Sequence, residues 1–134
     1  MRSISETIID YYEGAYGYTI RMDIQMESWL TSLKEKIFEL LRGDISSIDF
    51  SLMKDVRISG ISSLELLKTD NLVFPCIRSI GIENSSISIR WLQDEEQLET
   101  LVGLIDGLLD SDKPGHQYLT NEEDGILVEL AFRE

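Results

Sequence analysis

The chain has 134 residues, which is the length of one ordinary domain, and 43% of them are hydrophobic. A sizeable core is therefore expected without help from a metal or a disulfide. The single cysteine, Cys76, excludes an intramolecular disulfide and is typical of a reducing compartment. No signal peptide or long apolar run is evident, so we expect a cytoplasmic protein that does not enter a membrane.

The net charge of −13 is concentrated in the last third of the chain. Residues 94–134 contain twelve acidic side chains against only Lys113 and Arg133, a net charge of −10, while the first 93 residues carry −3. Such a field repels nucleic acid and anionic lipid and attracts basic protein surfaces. The simpler interpretation is that the acidic residues only keep the protein soluble.

The first half of the chain contains one clear strand and one clear helix. Residues 18–26 alternate between apolar and polar side chains, which predicts a half-buried strand. Residues 28–42 change to a helical period, with leucines and isoleucine on one stripe. Residues 47–52 alternate again and predict a second strand. Residues 56–67 predict one further strand with a bend at an internal glycine.

The second half predicts a hairpin, a helix and two final strands. Residues 77–83 and 86–92 flank a two-residue turn signal and predict a hairpin. Residues 94–110 have an apolar helical stripe and begin with a capping-box pattern. Residues 116–119 and 126–132 predict two strands that flank an acidic turn. No internal repeat is evident along the chain.

This order of elements predicts the fold class. Hairpin-type connections between strands favour antiparallel pairing. The apolar stripes of the two helices have to be buried, and a face of the sheet is the surface they can pack against. We therefore expect a single α+β domain over residues 1–134, with a mainly antiparallel sheet and two helices packed on one face of it.

Motifs for catalysis, cofactors and metals are missing from the sequence. His116 and Cys76 are the only residues of their types, and two such ligands cannot form a zinc site. Cys76 lies in an apolar run, so a buried inert thiol is a better interpretation than a nucleophile paired with His116. There is no phosphate-binding loop or dinucleotide fingerprint. We expect no enzyme activity, no cofactor and no metal, although carboxylates paired only in space remain possible.

Tyrosines are concentrated near the start of the chain. Tyr11, Tyr12 and Tyr16 lie close to Tyr18 in "DYYEGAYGY". Such density is typical of a protein contact surface. The alternative is that Tyr18 belongs to the core face of the first strand and the other three cover the sheet edge.

The layout resembles that of small immunity proteins of bacterial toxin systems, including contact-dependent growth inhibition. The features that carry the resemblance are "YGYTIRMDI", "LLRGD", "SISIRWL", "LETLVGLIDGLL", "PGHQYL" and "ILVELAF". It implies a non-catalytic protein that binds a cognate toxin domain in the cytoplasm and blocks its active site or its substrate surface. Many such toxins are nucleases with basic clefts, which the acidic third of this chain would match in charge.

Three groups of residues are candidates for function. The acidic candidates for partner binding are Glu95, Glu99, Glu122, Glu123 and Asp124, and the aromatic ones are Tyr11, Tyr12 and Tyr16. His116 and Tyr118 share one face of a predicted strand, and we interpret them as structural residues at the corner after the second helix. A direct partner contact or a general base are the alternatives for His116.

Two other functions are consistent with the sequence. The first is an acidic protein that imitates nucleic acid and inhibits a host protein, and genomic position would separate it from an immunity protein. The second is a domain that binds a small ligand or assembles with copies of itself, which predicts an apolar pocket or a symmetric apolar interface.

Overall fold

The computed structural model describes residues 6–15, 17–71, 77–83, 86–111, 113–119 and 126–134. Its two α-helices are α1 (Glu27–Arg42) and α2 (Glu95–Asp110). The described strands, in chain order, are β1 (Thr7–Gly14), β2 (Gly17–Ile24), β3 (Ser47–Asp49), β4 (Val56–Ser59), β5 (Ser63–Lys68), β6 (Ile77–Glu83), β7 (Ser86–Gln93), β8 (Gly115–Tyr118) and β9 (Leu127–Phe132). A short 3₁₀ helix spans Phe50–Leu52.

Both predicted helices are confirmed, and so are the signals at their ends. The α1 helix ends at Gly43, whose φ of 80° is the left-handed conformation that glycine adopts without strain. The α2 helix begins at Asp94, whose side chain accepts a hydrogen bond from the backbone N–H of Gln97. The Gln97 side chain accepts one in return from the Asp94 N–H. This reciprocal pair is the predicted capping box.

The α+β class is confirmed, and four of the seven described strand pairings are antiparallel, but the strands form two sheets and both sheets are mixed. One sheet has the strand order β4-β1-β2-β9-β8 and the other has the order β3-β5-β7-β6. Three of the pairings are parallel, namely β1 with β4, β2 with β9, and β5 with β7. These pairings join strands that are not consecutive in the chain. Hairpin connections join consecutive strands, so a prediction based on them does not include these pairings.

Three strand predictions need correction. The strand β1 was missed, because its tyrosine-rich sequence was interpreted as a contact surface or a covering segment and not as a paired strand. The strand predicted over residues 47–52 is shorter in the structure, because β3 ends at Asp49 and a 3₁₀ helix follows. Residues 56–67 form two strands and not one, since a turn at Gly60, with a φ of 88°, sends β4 and β5 into different sheets.

The structure shows an internal repeat that the sequence analysis missed. A hairpin, a 16-residue helix and an antiparallel strand pair occur first as β1, β2, α1, β3 and β5, and again as β6, β7, α2, β8 and β9. The halves pair crosswise, because β2 lies beside β9 and β7 lies beside β5. Each sheet therefore contains the hairpin of one half and the strand pair of the other, with β4 added at one edge.

The repeat is visible in sequence mainly at buried or paired positions. Ile20-Arg21 of β2 matches Ile89-Arg90 of β7, and Glu65-Leu66 of β5 matches Glu129-Leu130 of β9. In the helices the matching buried residues are Leu30 with Leu98, Leu33 with Leu101, Ile37 with Ile105, and Leu40 with Leu108. The same side chains therefore fill equivalent places in the core.

The two halves of the chain share one hydrophobic core. Buried residues of both helices and both sheets form a single hydrophobic cluster, in which Trp91, Phe50 and Phe132 are among the largest fully buried side chains. Crosswise pairing means that neither half could bury its strands without the other. Among the described residues, no helix combines the length and apolar character needed to cross a membrane.

Candidate functional site: an acidic groove at the start of the second helix

Parallel pairing brings two chain segments to one edge of the smaller sheet. Lys68 is the last residue of β5 and is paired with Gln93, the last residue of β7. Since parallel strands end at the same edge, the segments that follow them leave the sheet side by side. The first carries Thr69 and Asp70, and the second enters α2 at Asp94.

These segments form an open groove of about 400 Å³. The residues that line it are Thr69, Asp70, Asp94, Glu95, Glu96 and Glu99. Five of these six side chains are carboxylates, and neither lysine nor arginine is among the described residues that line it. We call this site the α2 groove.

The charge of the α2 groove is not compensated within the described part of the chain. None of its five carboxylates forms an ion pair there, although Asp106, further along the same helix, lies 2.7 Å from the ammonium group of Lys34. Asp94 is engaged in the helix cap, and Asp70, Glu95, Glu96 and Glu99 are exposed. The positive end of the helix dipole offsets about half an elementary charge, so a clear excess of negative charge remains.

The structure brings together part of the predicted acidic surface. Glu95 and Glu99 both line the α2 groove, and the sequence analysis missed that Asp70, from the first half of the chain, lies with them. Its position depends on the β5–β7 pairing, for which the sequence carries no local signal. The other predicted acidic residues, Glu122, Glu123 and Asp124, lie outside the described residues, as does Cys76.

The predicted tyrosine cluster does not form one surface. The rings of Tyr11 and Tyr18 are stacked, with centroids 5.3 Å apart. Burial raises the pKa of the Tyr11 phenol above its usual value, and the neighbouring Tyr18 phenol raises it further. Tyr12 is the next residue along β1 and therefore lies on the opposite face of the sheet. Tyr16 lies outside the described residues.

His116 and Tyr118 lie on the outer face of the larger sheet and contact each other edge to face, with ring centroids 5.5 Å apart. His116 Nδ1 is 3.1 Å from a carboxylate oxygen of Glu134. Both rings are exposed, so His116 lies in a surface network and not in the core. This position agrees equally with a structural role and with a partner contact.

Two glutamates lie next to His116, which the sequence analysis did not anticipate. The ligand-type atoms of His116, Glu129 and Glu134 lie within 4.8 Å of one another, a composition that metals can use. The guanidinium of Arg21, however, already contacts both carboxylates, at 2.8 Å for Glu129 and 3.5 Å for Glu134. The group is therefore a salt-bridge network in which Arg21 supplies one cation to two carboxylates.

A small cavity beside α2 is relevant to the alternative function, in which the domain binds a small ligand. It measures about 100 Å³. Its lining residues are Trp91, Gln93, Gln97, Thr100, Leu101, Leu104 and Leu119. Sites for organic ligands usually measure about 300–1,000 Å³. This cavity is thus of a size for a few water molecules.

Comparison of the chain with protein-family models, with curated proteins and with solved structures finds no significant match. The resemblance to immunity proteins therefore remains a hypothesis.

Proposed function

We propose that this chain is an immunity protein, which binds a cognate bacterial toxin domain in the cytoplasm and neutralises it without catalysis. The observation that carries the proposal is the α2 groove, where five carboxylates from two segments converge and none of the described lining residues is a cation. A surface of this kind favours a basic partner through long-range attraction and opposes nucleic acid. The likeness of the sequence to small immunity proteins supports the same conclusion.

The proposed mode of action is steric and electrostatic. A toxin that acts on nucleic acid needs a basic cleft, and an acidic protein placed over that cleft excludes the substrate. Charged groups at the rim of the contact mainly set the association rate. A few desolvated side chains at its centre hold the complex together. The α2 groove supplies the charge, and Tyr12 and Tyr118 are exposed aromatic side chains of the kind that interfaces use.

The experiment pairs this chain with the product of the gene next to its own. That product is expressed in bacteria with and without this chain, and growth and co-purification are measured together. We expect growth arrest by the neighbour alone, rescue by this chain, and a stable complex. A neighbour that is not toxic, or that is toxic but neither bound nor neutralised by this chain, would contradict the proposal. Capture of a host nucleic-acid-binding protein in its place would favour the acidic inhibitor of a host protein.

A further inference from the structure

The strand β8 lies at an edge of the larger sheet, and part of its backbone is unpaired. It pairs with β9 on one side, and no described strand lies on the other. The N–H of Leu119, just after β8, donates to the carbonyl of Val128 over 2.7 Å. Hydrogen bonds alternate along an antiparallel pair, so the N–H and C=O groups of His116 and Tyr118 point away from β9. Within the described part of the chain, these outward groups have no hydrogen-bond partner.

The edge of β8 lacks the features that protect the other sheet edges. Proteins commonly block a free edge with charged side chains, a bulge or a covering segment. The edge strand β3 carries Asp49 and continues into the 3₁₀ helix, and the edge strand β4 carries Arg57 and lies beside that helix. The edge strand β6 contains a bulge between Ser79 and Gly81. In contrast, β8 has the uncharged sequence Gly-His-Gln-Tyr and a regular register with β9.

The strand β8 is complementary to a second copy of itself. Two antiparallel copies related by a twofold axis at Gln117 place His116 of one copy opposite Tyr118 of the other. The outward N–H and C=O groups of these two residues then bond to each other across the axis. The same two rings already contact each other edge to face within one chain, and both are exposed. Gln117 faces its own copy, and a carboxamide both donates and accepts hydrogen bonds.

We propose that β8 is a self-association surface, to which a second copy of this chain adds its own β8 by antiparallel pairing about Gln117. The larger sheets of the two copies then become one continuous sheet. A second copy is the occupant because β8 matches itself both in its outward backbone groups and in its uncharged side chains. This inference goes beyond the proposed function and does not depend on it.

The net charge determines how the contact responds to salt. Each chain carries −13, so two copies repel each other at long range. The residues that face each other in the β8 pair are uncharged, and salt screens repulsion beyond about 8–10 Å, so added salt should strengthen the association. Four-residue strands form a small interface, and we expect a dissociation constant on the order of 0.1 mM at high salt. Binding to a basic toxin would have the opposite dependence on salt.

Analytical ultracentrifugation of the full chain tests the association directly. The chain is measured from micromolar to millimolar concentration at low and at high salt, and hydrogen exchange is followed by NMR on the same samples. We expect a reversible monomer–dimer equilibrium that salt shifts toward the dimer. The amides of His116 and Tyr118 should exchange more slowly as the concentration rises, while that of Leu119, which donates to Val128, should change little. A monomer under all conditions, or slower exchange only at other amides, would overturn the proposal.

Charge variants at Gln117 test the position of the twofold axis. Gln117→Glu alone and Gln117→Lys alone place like charges opposite each other, so each should weaken association at least about fivefold. A mixture of the two variants pairs opposite charges and should recover the parent affinity within about threefold. Ser32→Glu and Ser32→Lys make the same charge changes on the exposed face of α1 and should alter the affinity by less than about twofold. A mixture of the Gln117 variants that associates no better than either variant alone would contradict pairing about Gln117.

Tyr118→Pro is an independent variant that removes a backbone donor and adds no charge. The lost N–H points away from β9, so the β8–β9 pairing keeps its hydrogen bonds. Urea unfolding checks that this variant and those at Gln117 stay folded. We expect folded Tyr118→Pro to remain a monomer at millimolar concentration, and dimerisation like that of the parent would show that the edge of β8 is not the contact. A chain that stays monomeric but neutralises its toxin refutes this inference alone, and a chain that dimerises through β8 without neutralising a toxin refutes the proposed function alone.

Discussion

Arg21 on β2 donates to Glu129 on β9 across 2.8 Å, and this contact joins the two halves of the chain. The internal repeat places an equivalent pair in the other sheet, where Arg90 on β7 lies 3.6 Å from Glu65 on β5. The two pairs differ in their surroundings. The Glu129 side chain is 8% exposed, while those of Arg90 and Glu65 are 52% and 32% exposed.

This difference predicts unequal effects of the same substitution. Arg21→Met should lower the free energy of unfolding by about 3 kcal/mol, because it leaves the buried Glu129 carboxylate without its cation. Arg90→Met should cost less than about 1 kcal/mol, because both partners are solvated. Urea unfolding of the two variants measures the difference.

The double variant Arg21→Met with Glu129→Leu is the control for this interpretation. It removes the unpaired carboxylate, so we expect it to recover at least about half of the lost stability. Similar losses in the two single variants would show that burial does not distinguish the two pairs.

Glycine substitutions should have opposite effects at two sites. Gly60 has a φ of 88°, and a Cβ atom there would meet the backbone carbonyl of Tyr11. Gly60→Ala should therefore destabilise the protein by about 2 kcal/mol or more. Gly103 lies on the exposed face of α2 with open space around it, so Gly103→Ala should stabilise by about 0.5–1 kcal/mol. Thermal unfolding measures both, and a tolerated Gly60→Ala would contradict the close β1–β4 contact.

The raised pKa of Tyr11 predicts a change in stability at alkaline pH. The unfolded phenol titrates near pH 10, and the folded one titrates higher, because burial disfavours its charged form. The stabilising contribution is thus fully present below about pH 10 and is lost as the pH rises through the folded pKa. Tyr11→Phe should remove a phenol with a raised pKa from the ultraviolet titration and flatten the fall in stability above pH 10. An unchanged titration curve would show that Tyr11 is not the shifted group.

Local sequence patterns predicted the helices well because their information is local. The spacing of Leu98, Leu101 and Ile105 indicates an amphipathic helix whatever it packs against, and Asp94 with Gln97 marks its start. Alternation likewise identified most of the strands. It says nothing about which strand lies beside which, so the parallel pairing of β2 with β9 was not predictable.

The same limit explains why the candidate site was predicted only in part. Glu95 and Glu99 were identified from the acidic composition of α2, but Asp70 reaches the α2 groove only through the β5–β7 pairing. The internal repeat escaped notice because its identities lie mainly in short buried or paired motifs, such as Ile20-Arg21 and Ile89-Arg90. Surface positions are free to differ between the halves.

Replacing His116 with Gln separates its two possible roles. The ring is exposed and contacts Glu134 and Tyr118, so the loss of stability should be below about 1 kcal/mol. Thermal unfolding and partner affinity are measured on the same preparation. If stability is kept and affinity falls more than about a hundredfold, which is about 2.7 kcal/mol, His116 is a partner contact. A loss of stability above about 2 kcal/mol with affinity retained would establish the structural role.

The last prediction compares two acidic surfaces in association with the toxin. Neutralising Glu95, Glu96 and Glu99 to Gln removes three of the carboxylates of the α2 groove. Neutralising Glu122, Glu123 and Asp124 to the corresponding amides removes the same charge from the acidic segment after β8. Both triple variants should slow association, because each reduces the attraction that a basic partner feels over roughly 8–10 Å.

The dissociation rate distinguishes the two surfaces. If the α2 groove holds a basic side chain of the toxin, its triple variant should also dissociate at least about tenfold faster, because a desolvated charge contact is lost. The other variant should keep the parent dissociation rate and only flatten the dependence of association on salt. Rates are measured at low and high salt, and unfolding in urea checks that both variants stay folded, since Glu95 and Glu96 also stabilise the start of α2. If the groove variant associates and dissociates like the parent, the contact lies elsewhere, and the exposed Tyr12 and Tyr118 become the residues to replace next.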